Sequence, residues 1–488
     1  MGKRLQLGAK VVACSAFALL CVVACGSESG DDGSSSGASS GNSASSGGFN
    51  TSTSSSGDNP PPCTGLQCKQ VSCPNGGTTS LSGKVFLPEG TIPLYNAIVY
   101  VPNAPLAPFA SGITCDKCGT VQSGSPITTA LTDATGSFTL KNVPVGTDFP
   151  LVIQIGRWRR QITIAGSKVQ QCADAKLDAA ETRLPRTKAE GDIPQFAITT
   201  GGADSLECFL RKIGIDDTEF TPGSGNGRVH LYQGESNQNA PAATMAGATN
   251  AQSLWDSDAE LKKHDIVILS CEGDEFNGQK TEAARANLRT YLDAGGRVFA
   301  SHFHYTWYKN VGAGAANGAT NPLRVTANWV NNDDASPESQ NVTIDQSFQK
   351  GKDFATWMDT VQGTTAPGSG QVPMTELRRN VTSVPAPGQP AEMTRRWLYA
   401  TQQNDDTKFL TFNTPLGVAP DMQCGRAVYT DIHVSSKDAS TGTFPVNCTT
   451  KGLTEQEKAL VFLLMDLAAC IQDDSKPPVP PPADPGVK

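Results

Sequence analysis

Histidine is scarce in this chain, with five in 488 residues. Any imidazole chemistry must therefore draw on His230, His264, His302, His304 and His433. No basic block stands out beyond the N-terminus, so nucleic acid is not an expected partner. No nucleotide-binding loop, DNA-binding motif or eightfold βα pattern is present. Long apolar runs are missing too. The N-terminal "VVACSAFALLCVVA" is too short and too badly flanked for a transmembrane helix. The closing segment "LTEQEKALVFLLMDLAACI" is too interrupted and too short to cross a bilayer.

Glycine (48), proline (32) and cysteine (14) are plentiful, and the formal net charge is -8. The length allows two or three domains, and glycine and proline concentrate in segments that mark the boundaries. Lys3, Arg4 and Lys10 precede the apolar run, as in an export signal (1–24). The run closes on "VVAC", with Ala24 before Cys25 and Val22 at the third position before it. This resembles the lipobox of bacterial lipoproteins, which implies lipidation at Cys25. Cys14 follows too short a run, and Cys21 follows Leu20, which is not small. Gly26 comes next rather than an aspartate, so the resemblance implies an outer-membrane lipoprotein, periplasmic or surface-facing. Membrane contact would come through the lipid. Residues 25–62 form a Ser/Gly-rich tether that would hold the folded part about 30–35 Å from the lipid.

Export implies an oxidising compartment, where disulfides are the default state of cysteines. Cys63, Cys68 and Cys73 fall in a Cys-rich lead-in (63–80), and Cys115 and Cys118 form a CxxC. Zinc suits that spacing, but disulfides are favoured, and a thioredoxin-like role is weaker because "ITCDKCGTVQSGSP" reads as a loop. Cys172, Cys208, Cys424, Cys448 and Cys470 complete the disulfide candidates. Of the fourteen cysteines, two leave with the signal and one is lipidated. Eleven remain, so at least one is unpaired or pairs between molecules. Cys271 fits that place, or it pairs with Cys208.

Residues 81–180 read as all-β, with six short runs rich in β-branched and aromatic residues between Gly, Pro and Asp. An antiparallel β-sandwich is expected. "SGKVFLPEG", "TDATGSFTLKNVPVG" and "FPLVIQIG" resemble the carboxypeptidase regulatory-like domain, which is transthyretin-like and implies support or binding rather than catalysis. Arg157, Arg159 and Arg160 flank Trp158. They suit either an anion or sugar grip, or a charged edge strand. A polar linker (181–192) leads to residues 193–472, where strands and helices alternate. That alternation predicts a multidomain chain with an open, mostly parallel α/β sheet, amidotransferase-like and flavodoxin-like. A Pro-rich disordered tail is expected over 473–488.

"HDIVILSCEGDE", "AGGRVFASHFHYTW" and "RAVYTDIHVS" resemble the class I glutamine amidotransferase-like superfamily and its ThuA-like branch. The resemblance places His302 and His433 at its two histidine positions. The residues also carry their own argument. His302, His304 and His433 fall near the C-terminal ends of strands, where open α/β sheets bind ligands. His302 and His304 share a face if their strand continues, as do Asp431 and His433. Glu272 and Asp274 end the neighbouring strand. This rim suits a divalent metal, an acid–base pair, or plain packing beneath a loop. Cys271 is a weaker nucleophile candidate. Leu269 would crowd a nucleophile elbow, and no helix begins directly behind the sulfur.

The expected protein is a lipid-anchored cell-envelope protein, non-catalytic, with a binding or structural role, carbohydrate or envelope polymer being the expected ligand. The alternative is a His/metal-dependent or thiol hydrolase on saccharides or amides. No cofactor is expected beyond a divalent metal at the histidine rim.

Overall fold

The computed structural model describes residues 63–236, 241–309, 321–330, 339–386, 394–433, 438 and 441–484. The signal, Cys25, the tether and residues 485–488 lie outside the described residues. From Asn59 onward the chain is one compact unit. Strands dominate, in several sheets, with few helices.

The first strands are β1 (Ser80–Lys84), β2 (Ile98–Pro102), β3 (Pro126–Leu131), β4 (Ser137–Lys141), β5 (Phe149–Ile155), β6 (Trp158–Ile164) and β7 (Asp174–Lys176). They form a three-stranded sheet, β4-β1-β7, and a four-stranded sheet, β3-β2-β5-β6. Leu81, Val99, Phe138, Leu140, Leu151 and Ile153 from the two sheets share one apolar core. The edge strand β6 is not a patch of free charge. Arg159 pairs with Asp192 at 2.8 Å and lies over the Phe109 ring. Arg157 binds Asp265 at 2.7 Å and the carbonyls of Ala110 and Gly112. Both arginines are thus spent inside the fold.

The remaining strands are β8 (Phe196–Thr199), β9 (Phe220–Pro222), β10 (Val229–Tyr232), β11 (Ile266–Leu269), β12 (Arg297–Ser301), β13 (Asn328–Trp329), β14 (Ser339–Ile344), β15 (Gln371–Thr375), β16 (Val381–Ser383), β17 (Arg395–Ala400), β18 (Asp406–Thr414) and β19 (Gly425–Thr430). Ten of them build one sheet in the order β15-β14-β17-β18-β19-β12-β11-β8-β10-β9. The six strands from β19 to β9 run parallel. The other four extend the sheet antiparallel. The sheet is therefore more mixed than the expected one. Asn404 and Asp405, both left-handed, turn β17 straight into β18, and this local hairpin connection sets the antiparallel direction.

The helices are α1 (Leu206–Lys212), α2 (Gln252–Trp255), α3 (Asp258–Leu261), α4 (Glu282–Asp293), α5 (Gln349–Thr360) and α6 (Glu455–Ala468). The Thr281 hydroxyl caps α4 by accepting from the Ala284 amide. Gly295, at φ 116°, ends it in a conformation other residues avoid. Helix α6 opens with a Thr454–Glu457 capping box. It is apolar nearly all round because both sides are covered: it packs on β12 and β19, and Phe462 stacks on Tyr95 of the N-terminal part. Among the described residues no helix is long and apolar enough to cross a membrane.

Ten cysteines form five disulfides: Cys63–Cys68, Cys73–Cys172, Cys115–Cys424, Cys118–Cys470 and Cys208–Cys448. Five bridges place these residues in an oxidising, extracytoplasmic setting. The pairing of Cys271 with Cys208 is not adopted, because Cys208 is taken by Cys448. The CxxC does not close on itself either, since Cys115 and Cys118 each reach a partner beside the large sheet.

The proline-rich segment expected as a disordered tail is tied down over 473–484. Asp474 is buried between Lys350 and Arg426. The Asp484 amide donates to the Pro126 carbonyl at 2.9 Å.

Candidate functional site

Three parallel strands, β11, β12 and β19, are neighbours in the sheet and end at the same rim. Just beyond their C-terminal ends come Cys271, His302 and His433. The Cys271 Sγ lies 3.4 Å from His302 Nδ1 and 3.5 Å from His433 Nε2. The two imidazoles are 2.9 Å apart, between His302 Nδ1 and His433 Nε2. Cys271 is the free cysteine among the described residues, and it is fully buried.

Each residue is held by a separate local device. The Cys271 amide donates to Ser301 Oγ at 3.0 Å, and that hydroxyl donates to the Asp204 carboxylate. The Cys271 carbonyl accepts from the Ala203 amide at 3.0 Å. Gly201 allows this close approach, since a Cβ there would stand 2.1 Å from the Cys271 carbonyl oxygen.

His302 opens a 3-10 turn, His302–Trp307, with φ at 37°, in the left-handed region. The strand expected to run through "HFHY" therefore stops at Ser301, and His302 and His304 do not share a strand face. The turn forms because its side chains dock backwards. Trp307 packs edge-on against Trp255, and His304 Nε2 reaches the Ser270 carbonyl at 2.8 Å.

His433 is placed by pairing with a segment far away in sequence. Leu377 and Ile432 form an antiparallel bridge, and the His433 amide donates to the Glu376 carbonyl at 3.1 Å. The Glu376 carboxylate then lies 3.7 Å from His433 Nδ1, and Arg378 Nη2 lies 3.1 Å from the same atom. Arg378 also pairs with Glu376 at 3.0 Å.

The two imidazoles carry different charge. Burial pushes His302 well below the ordinary histidine range, and the neighbouring His433 and Arg378 push the same way. Burial would also lower His433. The Cys271 sulfur outweighs it with help from the Glu376 and Asp204 carboxylates, and His433 is raised to about 10. His433 Nε2–H thus points between Cys271 and a neutral His302. His302 Nε2 and Asn380 Oδ1 are both buried without a hydrogen bond of regular geometry, and the two side chains interact with each other.

The other rim candidates have different partners. His304 accepts from the Trp307 indole at 3.0 Å and is wholly buried. The Asp431 carboxylate accepts from the Asn380 backbone amide at 2.7 Å and the Tyr429 hydroxyl at 3.0 Å. Glu272 forms a buried pair with Lys280 and accepts from the Glu235 amide. Asp274 is exposed and accepts from the Glu275 amide. The structure brings together Cys271, His302 and His433 and leaves His304, Asp431, Glu272 and Asp274 outside that cluster. Sequence reasoning does not single out Glu376, Arg378 or Asn380. They arrive through nonlocal pairing, and no periodic pattern marks them.

Among the described residues, these three are the group of histidine, cysteine and acidic side chains able to hold a metal ion together. A thiol, an imidazole and a carboxylate in series also make a nucleophile, its base and a group that orients the base.

No family model matches the chain, and no curated protein matches it. Among solved structures, a ThuA-like protein from Bacteroides uniformis ATCC 8492 aligns over 56% of this chain and 91% of its own, at 12% identity and a TM-score of 0.29. The cold-adapted β-galactosidase from Rahnella sp. R3 aligns over 56% of this chain and 31% of its own, at 11% identity and a TM-score of 0.24. At those TM-scores neither likeness bears on what this chain does.

Proposed function

We propose that this is a lipid-anchored envelope protein whose function resides in a small-ligand centre at Cys271, His302 and His433. Cys25 would carry the lipid at the outer membrane. The two N-terminal sheets would be a carboxypeptidase regulatory-like sandwich supporting an amidotransferase-like, ThuA-like sheet. The role is binding rather than turnover. Of the ligand classes suggested by the sequence, the smallest suits a buried centre best, and a glycan or envelope polymer would need a more open surface.

One observation carries this reading. Three strand ends deliver a lone thiol and two imidazoles to one point, while His302 takes a left-handed backbone. Such features cost stability and persist where a site requires them.

The test needs no ligand. Asparagine tolerates the left-handed region better than most residues, so His302→Asn is expected to fold with an unchanged or higher Tm, gaining up to about 1 kcal/mol. A drop of several degrees, as for a core substitution, overturns the proposal.

A second reading is favoured by the Cys271–His433–Glu376 series: a thiol hydrolase acting on amides or saccharides. Turnover of such a substrate, lost in both Cys271→Ala and His433→Ala, would establish it in place of the binding role.

A further inference from the structure

We propose that Cys271, His302 and His433 bind a borderline d-block metal ion, Zn2+ first, with Cys271 Sγ, His302 Nδ1 and His433 Nε2 as ligand atoms. This rests on the ligand-centre reading above and names the ligand.

The argument is metric. With Zn–S near 2.3 Å and Zn–N near 2.05 Å, tetrahedral angles put sulfur and nitrogen about 3.6 Å apart and two nitrogens about 3.3 Å apart. The three edges here are 3.4, 3.5 and 2.9 Å. Each edge is shorter than the tetrahedral value, so the triangle needs to open by about 0.1–0.4 Å to take the ion. The thiol reading uses Cys271 and His433 but gives His302 no task. A metal gives all three atoms one.

The groups behind the ligands fit as well. A ligating imidazole usually gives its other nitrogen to a carboxylate or carbonyl, which fixes the ring. His433 Nδ1 lies 3.7 Å from the Glu376 carboxylate, with Arg378, itself paired to Glu376, nearer at 3.1 Å. His302 Nε2 is buried, and the Asn380 side chain is its hydrogen-bonding neighbour, with Oδ1 as a buried acceptor. The ligand set also selects the ion. Sulfur with two imidazoles suits zinc, cobalt and copper, whereas calcium and magnesium require oxygen ligands, which this triangle lacks. With three protein ligands among the described residues, the site resembles open zinc centres rather than closed four-ligand ones.

The experiment uses the full mature protein, purified without a metal-affinity tag and handled anaerobically, with Co2+ as the probe. One equivalent of Co2+ is expected to bind, with near-ultraviolet absorption from sulfur-to-cobalt charge transfer. Zn2+ should displace it and abolish that absorption. Cys271→Ser should lose the charge-transfer band, and Glu376→Gln should weaken binding by about tenfold or more. Absence of stoichiometric uptake, no Zn2+ displacement, or an unchanged spectrum in Cys271→Ser overturns the inference. If Cys271→Ser does not fold, the charge-transfer band of the wild-type protein and its loss on Zn2+ addition decide alone. Failure here with an unchanged or raised Tm for His302→Asn rejects the metal but leaves the ligand centre standing. Failure here with a lowered Tm rejects both.

Discussion

The Trp307 indole donates to Nδ1 of His304 at 3.0 Å, so the proton of the neutral His304 ring lies on Nε2, where it meets the Ser270 carbonyl at 2.8 Å. Both ring nitrogens are therefore satisfied. Removing the ring leaves a buried indole N–H and a buried carbonyl unpaired, and opens a cavity. His304→Ala is expected to cost about 3 kcal/mol, read from denaturant midpoints. Equal losses in His304→Ala and His302→Asn would erase the distinction between a structural and a functional histidine.

Glu207 provides a pH test away from the site. Burial raises its carboxyl to about 7, only partly countered by Asn447 donating to Oε1. A carboxyl raised above its unfolded value of about 4.3 favours the fold when protonated. That contribution is complete below the unfolded value and is lost as pH rises to about 7, beyond which stability levels off. Wild-type protein should therefore lose on the order of a few kcal/mol between pH 4.5 and 7.5 through this group. Glu207→Gln should flatten the dependence, as measured by urea midpoints across that range with disulfides intact.

Arg157 and Asp265 join β6 to the segment before β11, at 2.7 Å. Arg157→Ala strands a mostly buried carboxylate and should cost about 3 kcal/mol. The double variant with Asp265→Asn should cost less than the sum of the single ones, by about 1 kcal/mol or more. Strict additivity in that cycle would mean that the pair does not couple.

The end of the chain is expected to matter. Asp474 sits between Lys350 (2.7 Å) and Arg426 (2.5 Å), with Asp466 completing the cluster. Burial works against the Asp474 charge, but both cations hold its carboxyl below the usual range. Ending the chain after Gln472 leaves two buried cations with one carboxylate. The truncated protein should lose several kcal/mol, about 3–5. An unchanged melting curve would mean that the tail is free.

The sequence discloses strands better than it discloses the site. "DIVILS", "RVFAS" and "RAVYT" read as buried parallel strands because short apolar runs between turn residues have few other uses. His302 and His433 stand out because they follow such strands. The doubt about Cys271 comes from requiring a strained elbow at the thiol itself. The left-handed residue is instead His302, and a dihedral angle leaves no mark in residue types. Glu376 and Arg378 come from a segment paired with residues 431–433 across more than fifty positions, which pattern reasoning cannot join. In the antiparallel part of the large sheet "RRWLYATQQ" and "KFLTFNTP" read as strands but their direction does not show, and β14 and β15 lie in a weakly patterned stretch.

The bridges from Cys115 to Cys424 and from Cys118 to Cys470 tie one short loop to the residue before β19 and to the segment after α6. A protease that cuts between residues 119 and 423 therefore cannot separate the pieces. The nicked protein would migrate as a single species until a reductant is added. In the lipid-anchored form proposed above, a single cut between those positions would leave Cys271, His302 and His433 attached to the anchored piece.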